Sequence, residues 1–238
     1  MKIGVIQSNY IPWRGYFDFI KSVDLFVIYD DVQYVKGSWR NRNQLKFTEG
    51  LKWITVPVKV ELGMSVDEVK IGVSTKEDWK QIHGNQLKTS LGKTPFFNDA
   101  FTLWSESINK NFEYLTELNV DLIKNICSYL DIKTKIIFSR TLNLQSTKTE
   151  RLMDLFSKTG ATTYLSGPAA DTYLDFELFR ENKIRLEYKS YDYLPYKQHN
   201  HGDFSGAVSV LDLIANKGKE SVNYISCQTP DKMIIEIE

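Results

Sequence analysis

The sequence predicts an α/β protein, a mainly parallel sheet with flanking helices and a helical insertion. Three observations carry this. Short apolar β runs alternate with amphipathic stretches at both ends of the chain. The first thirty residues hold a strand, a short helix and a second strand, the pattern of a βαβ unit with a right-handed crossover. Residues 75–131 switch to helical period.

Taken in order, residues 2–7 (KIGVIQ) are a β run, and residues 16–23 (YFDFIKSV) repeat their apolar side chains at helical spacing. Residues 24–29 form the second β run. Residues 53–60 (WITVPVKV) read as a strand in which Pro57, lacking an N–H, belongs at an edge or bulge. The stretches EDWKQIHGNQLKTSL, PFFNDAFTLWSESI and FEYLTELNVDLIKNICSYLDI then predict three helices. This divides the chain into an α/β domain of residues 1–74 and 132–238 and a helical insertion of residues 75–131. After it come a strand at 135–138, a helix at 148–159 stopped by Gly160, and a strand at 163–165. A helix opens after Pro168, a strand covers 184–188, and SVLDLIANKG is a helix with Ser209 as N-cap and Gly218 as stop.

The 238 residues carry 30 basic and 30 acidic side chains, a balance that argues against a protein whose main task is coating nucleic acid but leaves room for a local basic patch. Two isolated cysteines, Cys127 and Cys227, exclude a zinc site built from cysteines, and Cys127 inside NVDLIKNICSYL reads as a small buried hydrophobe. No run is long and apolar enough for a signal peptide or a membrane span, so a soluble cytoplasmic protein is expected, with no membrane partner. P-loop, GxGxxG, GxSxG and HExxH motifs are absent.

In a parallel α/β sheet ligands bind beyond the carboxyl ends of the strands, so the residues after each strand are the candidates. These are Gln7, Ser8, Asn9 and Tyr10 after the first strand, and Asp30, Asp31 and Gln33 after the second. Ser166, Gly167 and Pro168 follow the strand at 163–165, and Lys189, Ser190, Tyr191 and Asp192 the strand at 184–188. Adjacent side chains on a strand point to opposite faces, so one of the two aspartates is expected to face a ligand while the other pairs elsewhere. The alternative is a strand-ending acid that caps the next turn. In the loop that follows, Arg40 and Arg42 would share a side if the chain is extended. Two guanidinium forks suit a diphosphate or a carboxylate, with Asn41 between them and Trp39 or Tyr34 available to stack on a ring. A solvated hairpin arm is the competing reading. Lys36, Arg40 and Arg42 are expected to fold back over the aspartates, leaving one of these ionised to act as acid–base. Ser166-Gly167-Pro168 is a strand-to-helix turn, which either holds an anion at the helix start or is an ordinary tight turn. His199 and His201 form an HxH pair. A general acid–base role for one of them is preferred over a metal site, since no further ligand cluster is evident. His83, within a helical stretch, is expected at the surface.

The blocks IQSNYIPWRGYFDFI, DLFVIYDDVQYVKGSWRNRNQL, WITVPV, YLSGPAADTYLD and SVLDLIANKG resemble the WbqC-like protein family over nearly the whole chain. The family's motif positions carry over to Gln7, Asn9, Tyr10, Pro12, Gly15, Tyr16, Asp30, Asp31, Gln33, Trp39, Arg40, Asn41, Arg42, Ser166, Gly167 and Tyr173. Where the family often has Pro-Gln before an aromatic turn, Tyr196-Lys197-Gln198-His199 stands here, which leaves the roles of His199 and His201 open. The resemblance implies a product of O-antigen or other surface-polysaccharide gene clusters. The expected activity is a transferase acting on a nucleotide-linked amino sugar, with amino-acyl (glycyl) transfer to the sugar amine as its form. The donor would be an aminoacyl-tRNA, a carrier-protein thioester, or an acyl-adenylate made with ATP. The competing expectation is a non-catalytic nucleotide-sugar or RNA (tRNA) binding protein.

Overall fold

A computed structural model describes residues 1–72, 78–199 and 202–237. In chain order the elements are β1 (Lys2–Ile6), α1 (Arg14–Lys21), β2 (Leu25–Ile28), β3 (Arg42–Phe47), β4 (Gly50–Thr55), β5 (Val58–Lys59) and β6 (Lys70–Ile71). Three helices follow, α2 (Trp79–Leu91), α3 (Phe97–Ile108) and α4 (Leu115–Tyr129). Then come β7 (Lys135–Phe138), α5 (Lys148–Thr159), β8 (Thr163–Ser166), α6 (Phe176–Glu181), β9 (Arg185–Tyr188), α7 (Val210–Lys217) and β10 (Lys232–Ile235).

Six strands form one sheet in the order β10-β9-β8-β1-β2-β7. All neighbours are parallel except β9 and β10. Counted along the chain within this sheet, the order is 3-2-1-4-5-6 read from β7, that of doubly wound α/β sheets, whose connections reverse direction between β1 and β8. Period-2 alternation divides β1 and β2 between two cores. Ile3, Val5, Leu25 and Val27 join Leu155, Phe156 and Phe179 of α5 and α6 on one face. Phe26 and Ile28 join Phe17, Phe19 and Ile20 of α1 on the other, in a core that continues through α2, α3, α4 and α7. Gly4 is what lets α1 lie so close to the sheet, because a Cβ there would stand 2.3 Å from Phe19 Cε1.

Several sequence expectations shift. The segment 53–60 is two strands, β4 and β5, separated at Pro57. The chain from Arg42 to Phe47, read as a loop arm, is a strand paired with β4, and β10 is an added antiparallel edge. Pro168 opens only a 3-10 turn (Pro168–Thr172). The α-helix begins later, where Asp175 caps it by accepting from the N–H groups of Glu177 and Leu178. Among the described residues no helix is long and apolar enough to cross a membrane.

Candidate functional site

The strand-end residues meet at the carboxyl edge of the sheet, where β1 and β8 part. There a cleft of about 840 Å³ is lined by Gln7 from the end of β1, by Asp31 and Gln33 from the end of β2, and by Ser166 and Gly167 from the end of β8. Arg40 lies on its wall, and so does Tyr173. The first turn of α5 adds Lys148, Thr149 and Arg151.

The two aspartates continue the alternation of β2 and leave the sheet on opposite faces. Asp30 turns toward α4 and is buried. Ser8 donates its backbone N–H to Oδ1 at 2.7 Å and its hydroxyl to Oδ2 at 2.6 Å, and the Thr116 hydroxyl donates to Oδ2 at 2.8 Å. Burial pushes its pKa above the usual carboxylate range, against these hydrogen bonds and the Arg40 charge. Asp30 therefore does not line the cleft, and its expected acid–base role has no geometry to support it. Asp31 turns the other way, into the cleft, where the Ser139 hydroxyl and the Arg151 guanidinium both donate to it. The cation that pairs with an aspartate thus comes from α5, and none of Lys36, Arg40 and Arg42 forms that ion pair.

Arg40 is held in an unusual way. One terminal nitrogen donates to the side-chain oxygen of Asn9 and the other to that of Gln7. Its carbonyl accepts from Asn119 Nδ2 at 2.8 Å, and the same amide donates to Ser8 Oγ at 3.2 Å. Two side chains on one face of α4, Thr116 and Asn119, so brace both the loop after β1 and the backbone of Arg40. Burial lowers the Arg40 pKa, and the nearby Asp30 charge acts in the opposite sense. Among the described residues no carboxylate forms an ion pair with Arg40, so its charge rests on two neutral amides beside a cleft. Within the stretch 143–148, Asn143, Ser146 and Lys148 hold left-handed backbone (φ 49, 64 and 52°) as it runs to the cleft wall. Non-glycine residues in this region are strained, and such strain gathers at functional sites.

The remaining candidates separate. Arg42 does not share a side with Arg40, because entry into β3 turns it onto the ring of Trp53, 4.0 Å from the centroid. Asn41 is buried and donates to the Val56 carbonyl at 2.9 Å. Tyr34 is buried as well and offers no ring for stacking, whereas Trp39 is 43% exposed. Tyr10 is fully buried, accepting from Trp104 Nε1 at 2.8 Å, so its own proton goes to His83 Nδ1 at 3.0 Å. His83 Nε2 then donates to the Thr55 carbonyl at 3.1 Å. His83 is consequently a core residue and not a surface one, and burial lowers its pKa to about 4. Asn9 lines a second, smaller chamber with Trp13 and Trp39. His199 is exposed and lies outside the cleft lining, and His201 lies outside the described residues. Among the described residues no three His, Cys, Asp or Glu side chains group as a metal site. Cys127 is buried, which pushes its thiol up to about 12.

Reading by strand ends missed Thr116, Asn119, Ser139, Lys148, Thr149 and Arg151. For the first two a signal was present, since LTELNVDLI places two polar side chains three apart within the apolar stripe of a helix. Ser139 directly follows the strand read at 135–138, so the strand-end rule itself offered it, whereas Lys148, Thr149 and Arg151 lie at a helix start whose approach to β2 only the fold defines.

A family model described as the WbqC-like protein family matches residues 7–224. The chain is also 43% identical over 226 residues to the "Uncharacterized protein Rv1507c" of Mycobacterium tuberculosis, an alignment covering 94% of this chain and 97% of that one. No solved structure matches the chain.

Proposed function

The chain belongs to the WbqC-like protein family, and we propose that it is a transferase that acylates the amino group of a nucleotide-linked amino sugar in surface-polysaccharide (O-antigen) biosynthesis. One observation supports this above the rest. A half-buried guanidinium that has no ion-pair partner among the described residues, Arg40, and an accessible carboxylate, Asp31, line the same 840 Å³ cleft at the switch point of the sheet. Arg40, with Lys148 in the same lining, suits the diphosphate of a sugar nucleotide, because hydrogen bonds between charged groups are stronger than neutral ones. Asp31 suits the amine.

In the step proposed, the neutral sugar amine attacks the carbonyl carbon of an activated amino-acyl donor and a C–N bond forms. The proton lost from nitrogen passes to an Asp31 oxygen as the bond from that carbon to the donor's oxygen or sulfur breaks. The leaving group departs with the electron pair of that bond and takes up the proton if it is basic enough. Arg151 and Ser139 hold the carboxylate in place. A general base contributes roughly 10²–10⁴-fold in rate. The donor class is an aminoacyl-tRNA, a carrier thioester or an acyl-adenylate made with ATP, and the reading carries a cytoplasmic location with it.

The test is mass spectrometry of UDP- and dTDP-amino sugars incubated with each donor class. A product heavier by one acyl residue, formed by the wild type and lost in Asp31→Asn, is the expected result. Binding of the nucleotide sugar with no product from any donor would leave the non-catalytic nucleotide-sugar-binding reading in its place.

A further inference from the structure

We propose that the chamber between Trp13 and Trp39 is a nucleobase subsite, in which the base of a nucleoside diphosphate stacks while its phosphates reach Arg40. This rests on the transferase reading only for the identity of the sugar; the chamber itself is argued from its own walls.

The chamber encloses about 270 Å³ and is lined by Asn9, Pro12, Trp13, Trp39, Asn43 and Ala207. Both indoles are braced by other rings. Trp39 packs on Trp53 with centroids 5.1 Å apart, and Trp53 in turn carries the Arg42 guanidinium over its ring at 4.0 Å. Trp13 meets Tyr191 at 5.3 Å and Tyr193 edge-on at 5.8 Å. Beneath it stands Gly15, where a Cβ would come within 2.3 Å of the indole. Flat walls held in place before a ligand arrives lose little side-chain freedom on binding one. They suit a planar ring, since base–aromatic stacking is tolerant of base identity.

Polar groups in the chamber point the same way. The Asn43 amide is spent on the protein, donating to the carbonyls of Tyr10 and Ile11 at 3.1 and 2.9 Å and accepting from Gln44 N–H at 2.7 Å. It has little left with which to read a base edge. The Asn9 oxygen is taken by Arg40. Arg40, in the lining of the large cleft, links the two cavities, with one terminal nitrogen on Asn9 of the Trp chamber and the other on Gln7 of the large cleft. A ligand whose anion sits at Arg40 can extend a ring into the chamber and a second group toward Asp31. A nucleotide sugar has that order of parts.

Calorimetric titration of UDP, dTDP and inorganic pyrophosphate against wild type, Trp39→Ala, Ala207→Trp and Arg40→Ala tests it. Trp39→Ala removes one exposed wall, and Ala207→Trp fills the chamber while leaving both indoles. Each is expected to weaken UDP and dTDP by roughly five- to a hundredfold, the range for one stacked base, with pyrophosphate unchanged. Arg40→Ala weakens all three. UDP binding that survives both Trp39→Ala and Ala207→Trp overturns the proposal, as does no UDP binding to wild type, or an equal loss of pyrophosphate in those two variants. Failure of acyl transfer with Trp39-dependent UDP binding intact sinks the transferase reading and leaves the subsite standing. Turnover of a nucleotide sugar that is indifferent to Trp39 and Ala207 does the reverse.

Discussion

At the end of β2 the two faces of the sheet treat one kind of side chain in opposite ways. On the α4 face Asp30 is sealed and receives three hydrogen bonds, all from uncharged donors on Ser8 and Thr116. On the α5 face Asp31 meets a cation, Arg151, and a cleft open to solvent. Holding a buried carboxylate with three neutral donors fixes its geometry, and its burial leaves no approach for a ligand. Pairing a half-exposed one with a guanidinium holds it while leaving an approach from solvent. The doubled acid is therefore one structural and one accessible carboxylate, and the structural one positions the loop that carries Gln7 and Asn9 to Arg40.

The strongest way to break this contrast is Asp30→Asn. An amide offers one acceptor atom where three donors converge, so buried donors lose their partner. Urea unfolding is expected to show a loss of roughly 3 kcal/mol or more. A loss under about 1 kcal/mol would mean that the α4 face is not the rigid one.

The same face predicts an acid sensitivity. His83 is neutral in the fold, with a pKa lowered by burial to about 4 against 6.5 when exposed. Its contribution to stability is thus complete above the unfolded value and is lost as pH falls toward the folded one. Between pH 7 and 4 that amounts to roughly 3 kcal/mol. In His83→Gln, this part of the difference between unfolding free energies at the two pH values should disappear; an unaltered pH slope would place the acid sensitivity elsewhere.

On the α5 face the expected effect is on rate. Asp31→Asn should lower turnover by at least about a hundredfold while changing stability by roughly 1 kcal/mol, as for a half-exposed ion pair. Full turnover in that variant would remove the base from Asp31. Next in size is Thr116→Val, which takes one of the three donors from Asp30 and should cost about 1 kcal/mol in thermal or urea unfolding. The smallest effect belongs to Arg42→Ala. Its guanidinium lies on Trp53, so pyrophosphate affinity should be unchanged and stability lowered by roughly 0.5–1 kcal/mol, the worth of an exposed cation–π contact. A clear loss of pyrophosphate affinity would return Arg42 to the cleft.

Much of the fold was legible because it is written in local periods. The β run at 135–138 and the helix at 148–159 with Gly160 behind it occur at those residues, and the α/β class follows from their alternation. Ser209 caps α7, with its hydroxyl accepting from Leu211 N–H. That Asp30 and Asp31 would face apart was legible too, since a strand allows nothing else. Which of them met the ligand side was not, because the answer depends on which helix covers which face. Arg40 and Arg42 are two residues apart and looked equivalent; a change from loop to strand between them sent one to Gln7 and Asn9 and the other to Trp53. His83 and Tyr10 looked like a surface residue and a ligand contact, and became partners in the core through Trp104 and Thr55, residues distant in the chain.

By itself the sequence determined most of the helices and central strands, several of their caps and the polar character of the strand ends it located, since hydrophobic period, glycine and capping residues act within a few positions of themselves. Only the tertiary structure decided that β8 would cross to the far side of β1, that α4 would brace Arg40 through Asn119, and that Arg151 would come to Asp31. Each of those contacts joins residues more than seventy positions apart, and such a contact has its energy in burial and charge pairing, which no local pattern encodes.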